Sequence, residues 1–358
     1  MKFNIGVLKG DGIGPEIVEV ATEVLNKIGE KYNHEFDLEY FLIGGSAIDA
    51  VGVPLPQETL DGCRNKDSIL LGAVGGSKWD NMPKGKRPEN ALLDIREKLN
   101  LYCNFRPAKV YKELIEASPI KNSIIKSGVD MIIVRELTGG IYFGEKRSDY
   151  IGGVVTSSDL EIYSDEEIRR ISIKAFELAR KRRGKLTSID KANVLESSKL
   201  WRKIVNQVSK DYEDVELEHL YVDNASMQLI KNPASFDVIL CNNIFGDILS
   251  DEAAMITGSI GMLPSASLGD GNFGMYEPIH GSAPDIAGKG VANPIATILS
   301  VGMMLKNSFN LYEESEAIEE AVNKALEDGY RTLDILEEGM TLVGTKEMGD
   351  IIIGNLGR

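Results

Sequence analysis

Along the chain, short apolar runs bounded by Gly, Pro or Asn alternate with longer amphipathic stretches. The runs at 3–8, 68–74, 131–135, 186–190, 217–222 and 237–241 predict strands, because near-continuous apolar segments of this length suit a sheet covered on both faces. Residues 165–183, 197–212 and 244–256 carry apolar positions at helical spacing, and a further helix opens at Pro15, whose fixed φ suits a first helical position. This alternation predicts an α/β protein with largely parallel strands and helices on both faces. One segment, 139–163, breaks the rhythm. Its Tyr150-Ile151-Gly152-Gly153-Val154-Val155-Thr156 reads as an extended hairpin, either a surface loop or an arm that reaches a partner subunit.

The 358 residues suffice for about two domains of roughly 150 residues each. A chain of this size buries a core without disulfide or metal staples. No repeat and no low-complexity linker marks a boundary, so the pattern alone does not place one. Lys and Arg total 40 against 55 Asp and Glu, a net charge of −15, which disfavours nucleic acid and anionic membranes as partners. The one dense basic run, Arg180-Lys181-Arg182-Arg183 before Gly184, reads as cations complementing the C-terminus of a helix that Gly184 caps. Cys63, Cys103 and Cys241 lie far apart without metal-type spacing, as expected of reduced, packed thiols. No apolar run reaches ~18 residues, and the strand pattern starts within a few residues of Met1. Neither a membrane span nor a signal peptide is therefore expected, and the predicted compartment is the cytoplasm.

Several residues carry chemistry. Gly10-Asp11-Gly12-Ile13-Gly14 joins a strand to a helix, but its third glycine comes one residue early for a dinucleotide-binding G-x-G-x-x-G. That leaves a tight turn, with an anion near the helix start as the alternative. Gly269, Gly271 and Gly274 have the literal spacing, yet no strand is predicted before them and no helix after, so they read as a loop. Asp247 and Asp251 stand four apart at the start of a predicted helix, on one face. They are either a solvated acidic turn favoured by the helix dipole or part of a site. Asp223 closes the strand before them, and three hard oxygen ligands at strand C-termini suit Mg²⁺ or Mn²⁺. Arg96, Arg106 and Arg135 lie in apolar surroundings, where a guanidinium needs an anion: an internal partner such as Glu136, or a multiply charged carboxylate substrate. Tyr142 and Lys191 are candidate proton-transfer groups, with a bonded core tyrosine and an exposed cation as the alternatives. His280 sits in a loop; His34 and His219 belong to no constellation.

Four segments, Gly10 to Glu16, Arg135 to Gly144, Tyr221 to Asn224 and His280 to Lys289, together resemble the isocitrate/isopropylmalate family of β-decarboxylating dehydrogenases. The resemblance covers essentially the whole chain and its motifs occur in the family's order. It implies an isopropylmalate dehydrogenase-like, non-Rossmann α/β fold with a discontinuous first domain, 1–101 with 258–358, and a second domain, 102–257. It further implies a homodimer with shared active sites, an intersubunit arm at about 139–163, and Lys191 and Asp223 reaching the partner's site. The implied reaction is NAD-dependent, metal-requiring oxidative decarboxylation, with loss of CO₂ from a 2-hydroxy dicarboxylate.

Carried over position by position, the resemblance implies that Arg96, Arg106 and Arg135 hold the substrate carboxylates, with Glu89, Leu92, Leu93, Val194 and Asp223 also contacting substrate. Asp223, Asp247 and Asp251 would bind Mg²⁺ or Mn²⁺, Lys191 would relay the C2 hydroxyl proton, and Tyr142 would protonate the enol carbon. The NAD site would comprise Gly76 and Glu89 with His280, Gly281, Ser282, Ala283, Pro284, Asp285, Ala292 and Asn293. Leu92 and Leu93 make an apolar wall that suits an isopropyl group and rejects a third carboxylate, so 3-isopropylmalate and leucine biosynthesis are expected. Isocitrate, homoisocitrate and tartrate dehydrogenases remain the alternatives, together with a non-catalytic regulatory paralogue. Asp285-Ile286 stands where NADP-using relatives carry Lys-Tyr; a carboxylate accepts from a ribose 2′-OH and repels a 2′-phosphate, which favours NAD.

Overall fold

Strands and helices alternate through the computed structural model, which describes residues 1–83 and 85–357. In chain order the main strands are β1 (Lys2–Gly10), β2 (Glu35–Phe41), β3 (Ser68–Ala73), β4 (Cys103–Lys109), β5 (Asp130–Glu136), β6 (Lys146–Ile151), β7 (Val154–Asp159), β8 (Lys185–Asp190), β9 (Glu216–Tyr221), β10 (Val238–Cys241), β11 (Pro264–Leu268) and β12 (Gly274–Pro278). The α/β class expected from the sequence is the one adopted. The chain forms two compact units. The first holds Met1–Leu101, Tyr111–Pro119 and the stretch from Thr257 onward; the second holds Tyr102–Val110 and Ile120–Ile256.

In the first unit the sheet order is β2-β1-β3-β12-β11. β1 pairs in parallel with β2 and β3, β3 with β12, and β12 antiparallel with β11. Every residue of β3 is buried, which is why it reads as an unbroken apolar run. β2, by contrast, alternates acid and apolar residues, the signature of an edge strand with one wet face. β11 ends just before Gly269, so a strand does precede the G-x-G-x-x-G there, contrary to the sequence reading. β12 begins at Gly274, so the glycines turn a hairpin and open no helix.

The second unit orders its strands β4-β5-β10-β8-β9, all parallel neighbours except the antiparallel pair β4 and β5. The helix Asp165–Arg180 starts from a capping box between Ser164 and Glu167. It ends on Arg180, the first residue of the basic run, and the cations beyond it do more than complement a dipole. Arg182 Nε donates to Asp237 at 2.7 Å, a carboxylate 2% exposed, and Arg183 Nη2 donates to the Phe236 carbonyl at 2.6 Å. Strands β6 and β7 form the expected hairpin, turned by Gly152 and Gly153 at φ 60° and 89°, as a two-residue hairpin turn requires. Both strands are exposed throughout. All three cysteines are free and buried, and no helix among the described residues is long and apolar enough to cross a membrane.

Candidate active site

The helix Asn243–Ile256 follows β10 and presents Asp247 and Asp251 one turn apart. β5 ends on Arg135 and Glu136, and β4 carries Arg106. These elements converge in the second unit. Arg135 donates through Nη1 to Asp247 and through Nε and Nη2 to Asn243 Oδ1, at 3.0 and 2.8 Å. Its partner is therefore not the neighbouring Glu136, which accepts instead from Thr138 and from the Gly139 amide. Arg106 Nη1 lies 3.6 Å from Asp247 and 3.5 Å from Asp251, and it donates to Ser250 Oγ at 2.7 Å. Two buried guanidiniums thus answer the repulsion between the two carboxylates.

Tyr142 joins this cluster from the short turn Gly140–Tyr142, donating to Asp247 Oδ2 at 2.8 Å. Burial, then the bond to Asp247, pushes its phenol above the usual tyrosine value, so the hydroxyl keeps its proton and can donate it. Burial also raises the Asp251 carboxyl, against the pull of Arg106. The side chain of Asp251 remains 63% exposed, which leaves its oxygens open to a ligand. Lys191 and Asp223 form a separate pair: Lys191 Nζ donates to Asp223 Oδ1 at 2.5 Å, and that bond holds the Asp223 carboxyl below its ordinary value. Val194 is exposed one turn after Lys191, its amide donating to the Lys191 carbonyl. Among the described residues no three acidic, His or Cys side chains gather to hold a metal. Asp247 and Asp251 supply two hard oxygen donors, a set that fits Mg²⁺ or Mn²⁺ once a third ligand is added.

In the first unit a cavity of about 450 Å³ is lined by Ile13, His280, Gly281, Ala283, Ile286, Ala292, Asn293 and Asp334, among others. Its size and largely apolar walls suit part of a dinucleotide. His280 Nδ1 lies 2.9 Å from the Gly281 carbonyl, which can only accept, so Nδ1 carries the proton and Nε2 is an acceptor without a partner among the described residues. Burial holds this imidazole below its ordinary value, hence neutral. The first motif supports the same loop. Ile13 N donates to the Ser282 carbonyl at 2.8 Å, and a Cβ on Gly12 would stand 2.0 Å from that oxygen. Asp11 accepts from the amides of Gly45, Ser46 and Gly75 at 2.8, 2.7 and 2.9 Å. A Cβ on Gly75, next to Gly76, would meet Glu89 Oε1 at 2.8 Å and Ser282 Oγ at 4.0 Å, which brings the expected cofactor residues together. Pro284 and Asp285 are exposed on the loop.

Glu89, Leu93 and Arg96 share one face of the helix Pro88–Lys98, with Leu92 beside them. Leu92 and Leu93 are half-buried, Leu92 against the core of this unit. Arg96 is 7% exposed and donates to Glu277 Oε1 at 2.7 Å. Sequence reasoning missed Glu277, Asp11 as a hub, and the cavity wall from Leu333 and Asp334. Asp334 is held by Ser259, Asn293 and Thr332, residues far apart in the chain that share no motif.

Residues 4–352 match the family model described as isocitrate/isopropylmalate dehydrogenase. The 3-isopropylmalate dehydrogenase of Aquifex aeolicus is 61% identical over 358 residues, covering 100% of this chain and 98% of that one. That of Clostridium pasteurianum is 58% identical over 355 residues, 99% of each chain. Among solved structures, isocitrate dehydrogenase from Methylococcus capsulatus aligns at TM-score 0.89 and 33% identity, covering 99% of this chain and 100% of that one.

Proposed function

Since the chain belongs to the isocitrate/isopropylmalate dehydrogenase family, we propose that it oxidises and decarboxylates 3-isopropylmalate to 4-methyl-2-oxopentanoate and CO₂ in leucine biosynthesis, with NAD as oxidant. The observation that carries this reading is the cluster in which Asp247 is bonded by both Arg135 and Tyr142 while Asp251 stays open beside Arg106.

Arg106 and Arg135 bind substrate carboxylate through charge-assisted bonds, each contributing about 1.5–3 kcal/mol. Arg96 is the third cation by the family pattern. Asp247 and Asp251, with Asp223 of the partner subunit, would hold Mg²⁺ or Mn²⁺. When bound, the ion would supply Lewis acidity and NAD would supply the hydride acceptor. Lys191 of the partner subunit, in its neutral form, would take the C2 hydroxyl proton and release it through water or its Asp223 contact. Tyr142 keeps its proton until the enol carbon needs it. The homodimer this requires is supported by the β6–β7 hairpin, since a two-stranded ribbon exposed on both faces is marginal alone. Leu92 and Leu93 leave a third carboxylate without hydrogen bonds, which favours isopropylmalate over isocitrate.

The test is NADH formation with a panel of 3-isopropylmalate, isocitrate and tartrate, each with NAD and NADP, with and without a chelator. Turnover is expected from 3-isopropylmalate with NAD and metal, and Lys191→Met is expected to bind substrate without turning it over. Turnover under full chelation, a preference for isocitrate, or an active Lys191→Met variant overturns the corresponding part of the reading.

A further inference from the structure

The residue before Lys191 is a buried carboxylate that the reaction scheme leaves unused. Asp190 ends β8, is 1% exposed, and lies in register with Tyr221 of the neighbouring β9. Arg202, on the helix Glu196–Val208, grips it with both arms: Nε to Oδ2 at 2.7 Å and Nη2 to Oδ1 at 2.9 Å. Asp190 Oδ1 also accepts from the amide of Ala192 at 2.9 Å. The Lys191 carbonyl in turn accepts from the amides of Val194 and Leu195, both at 2.9 Å. The peptide unit that follows Lys191 is therefore held at both ends, its carbonyl by Val194 and Leu195 and its amide by Asp190. Beyond the backbone, the Arg202 guanidinium stands 5.0 Å from the centre of the Tyr221 ring, and Lys191 Nζ stands 5.9 Å from the same ring. One guanidinium thus braces the strand end that carries the lysine and also the ring over which the lysine extends.

A lysine is a flexible four-carbon stem with a point charge at its tip, and its aim depends on where its backbone is held and what its stem lies against. An ion pair needed only to dock the helix onto the sheet could sit anywhere along β8. This one takes the position next to Lys191 and spends one carboxylate oxygen on the amide just past it. We infer that Asp190, locked by Arg202, is a positioning residue that aims Lys191, with Tyr221 as the surface along which the lysine is held. The inference rests on the reading of Lys191 as the proton-transfer group.

The experiment compares Asp190→Asn, Arg202→Leu and Arg202→Lys in the full-length enzyme, with Lys191→Met and Arg182→Leu in parallel. Arg182 holds another buried carboxylate, Asp237, away from this loop, and so reports what a structural ion pair alone is worth. In Asp190→Asn and Arg202→Leu, kcat with 3-isopropylmalate and NAD is expected to fall by about 10- to 100-fold, as misplacement of a reacting group by about 1 Å does. KM for both substrates should stay within about twofold, and the isotope effect on kcat with 2-deuterated substrate should rise as the chemical step becomes limiting. Arg202→Lys, which keeps the charge and one bond, should recover part of kcat. Arg182→Leu should lose thermal stability with kcat unchanged. A folded Asp190→Asn enzyme with wild-type kcat overturns the inference, as does an equal loss of kcat in Arg182→Leu. An active Lys191→Met enzyme instead overturns the assignment of Lys191, and this inference with it.

Discussion

Replacing Asp11 by Asn tests whether the first glycine motif works as a hub. The two side chains have the same shape, but Asn offers one acceptor oxygen where Asp offers two. In the native protein Oδ2 serves the amides of Gly45 and Gly75, both in buried surroundings, and Oδ1 serves Ser46. Whichever way the Asn amide turns, at least one backbone N–H faces an NH₂ group and loses its acceptor, and the remaining bonds lose charge assistance. A bond to a charged group contributes about 1.5–3 kcal/mol, and each 1.4 kcal/mol is tenfold in an equilibrium constant. Local opening of the loops at 43–46 and 74–76 should therefore become about 10- to 100-fold more frequent. Hydrogen exchange read by mass spectrometry on peptides covering Gly45, Ser46 and Gly75 measures this directly, because protection there reports local opening. KM for NAD should rise as well, since Gly75 and Ile13 border Glu89 and Ser282. Unchanged protection of these amides, with an unchanged KM for NAD, would refute the reasoning.

Other outcomes follow from the same geometry. Gly12→Ala puts a Cβ 2.0 Å from the Ser282 carbonyl at a φ of 59°, so NAD affinity should fall sharply while the second unit's hydrogen-exchange pattern stays unchanged. Asp285→Lys combined with Ile286→Tyr removes the acceptor for a ribose 2′-OH and adds a cation, so the ratio of kcat/KM for NADP over NAD should rise; a constant ratio removes Asp285 from that role. Burial, assisted by Arg202, holds His219 below its ordinary value of about 6.5. The unfolded chain then binds a proton that the folded protein refuses, so this contribution to stability falls as pH drops below about 6.5 and levels off beneath the folded value. Urea unfolding of wild type and His219→Gln between about pH 7.5 and pH 5.5 should show a shallower pH slope in the variant. Asp237→Ala removes the acceptor of Arg182 Nε and of the Arg183 amide, leaving Arg182 its contact with Asp130, and should destabilise the second unit by about 1–3 kcal/mol.

Which parts of the fold could be read in advance follows from which faces each element buries. β3 and β10 are buried along their whole length, and their apolar runs stand out at once. β2 escapes that search because every second residue is acidic, and β4 escapes it because Asn104, Arg106 and Pro107 interrupt the run. Arg106 is the instructive case. The feature that hides its strand is the same one that marks a site, since a guanidinium is tolerated there only beside Asp247 and Asp251.

By itself the sequence determined the α/β class, the acidic pair one helical turn apart, the hairpin at its glycine turn, and the chemical type of each candidate group. These are local properties, set by periodicity, by backbone freedom at glycine and by side-chain chemistry. Only the tertiary structure decided who answers whom. Arg135 faces Asp247 and leaves Glu136 to Arg170, Thr138 and the Gly139 amide, the first glycine motif braces the loop at Ser282, Asp334 closes the cavity, and Arg202 reaches Asp190. Each of those pairings joins residues from different elements, because a buried charge or amide takes whichever partner the packing brings within about 3 Å, and sequence spacing carries no record of that choice.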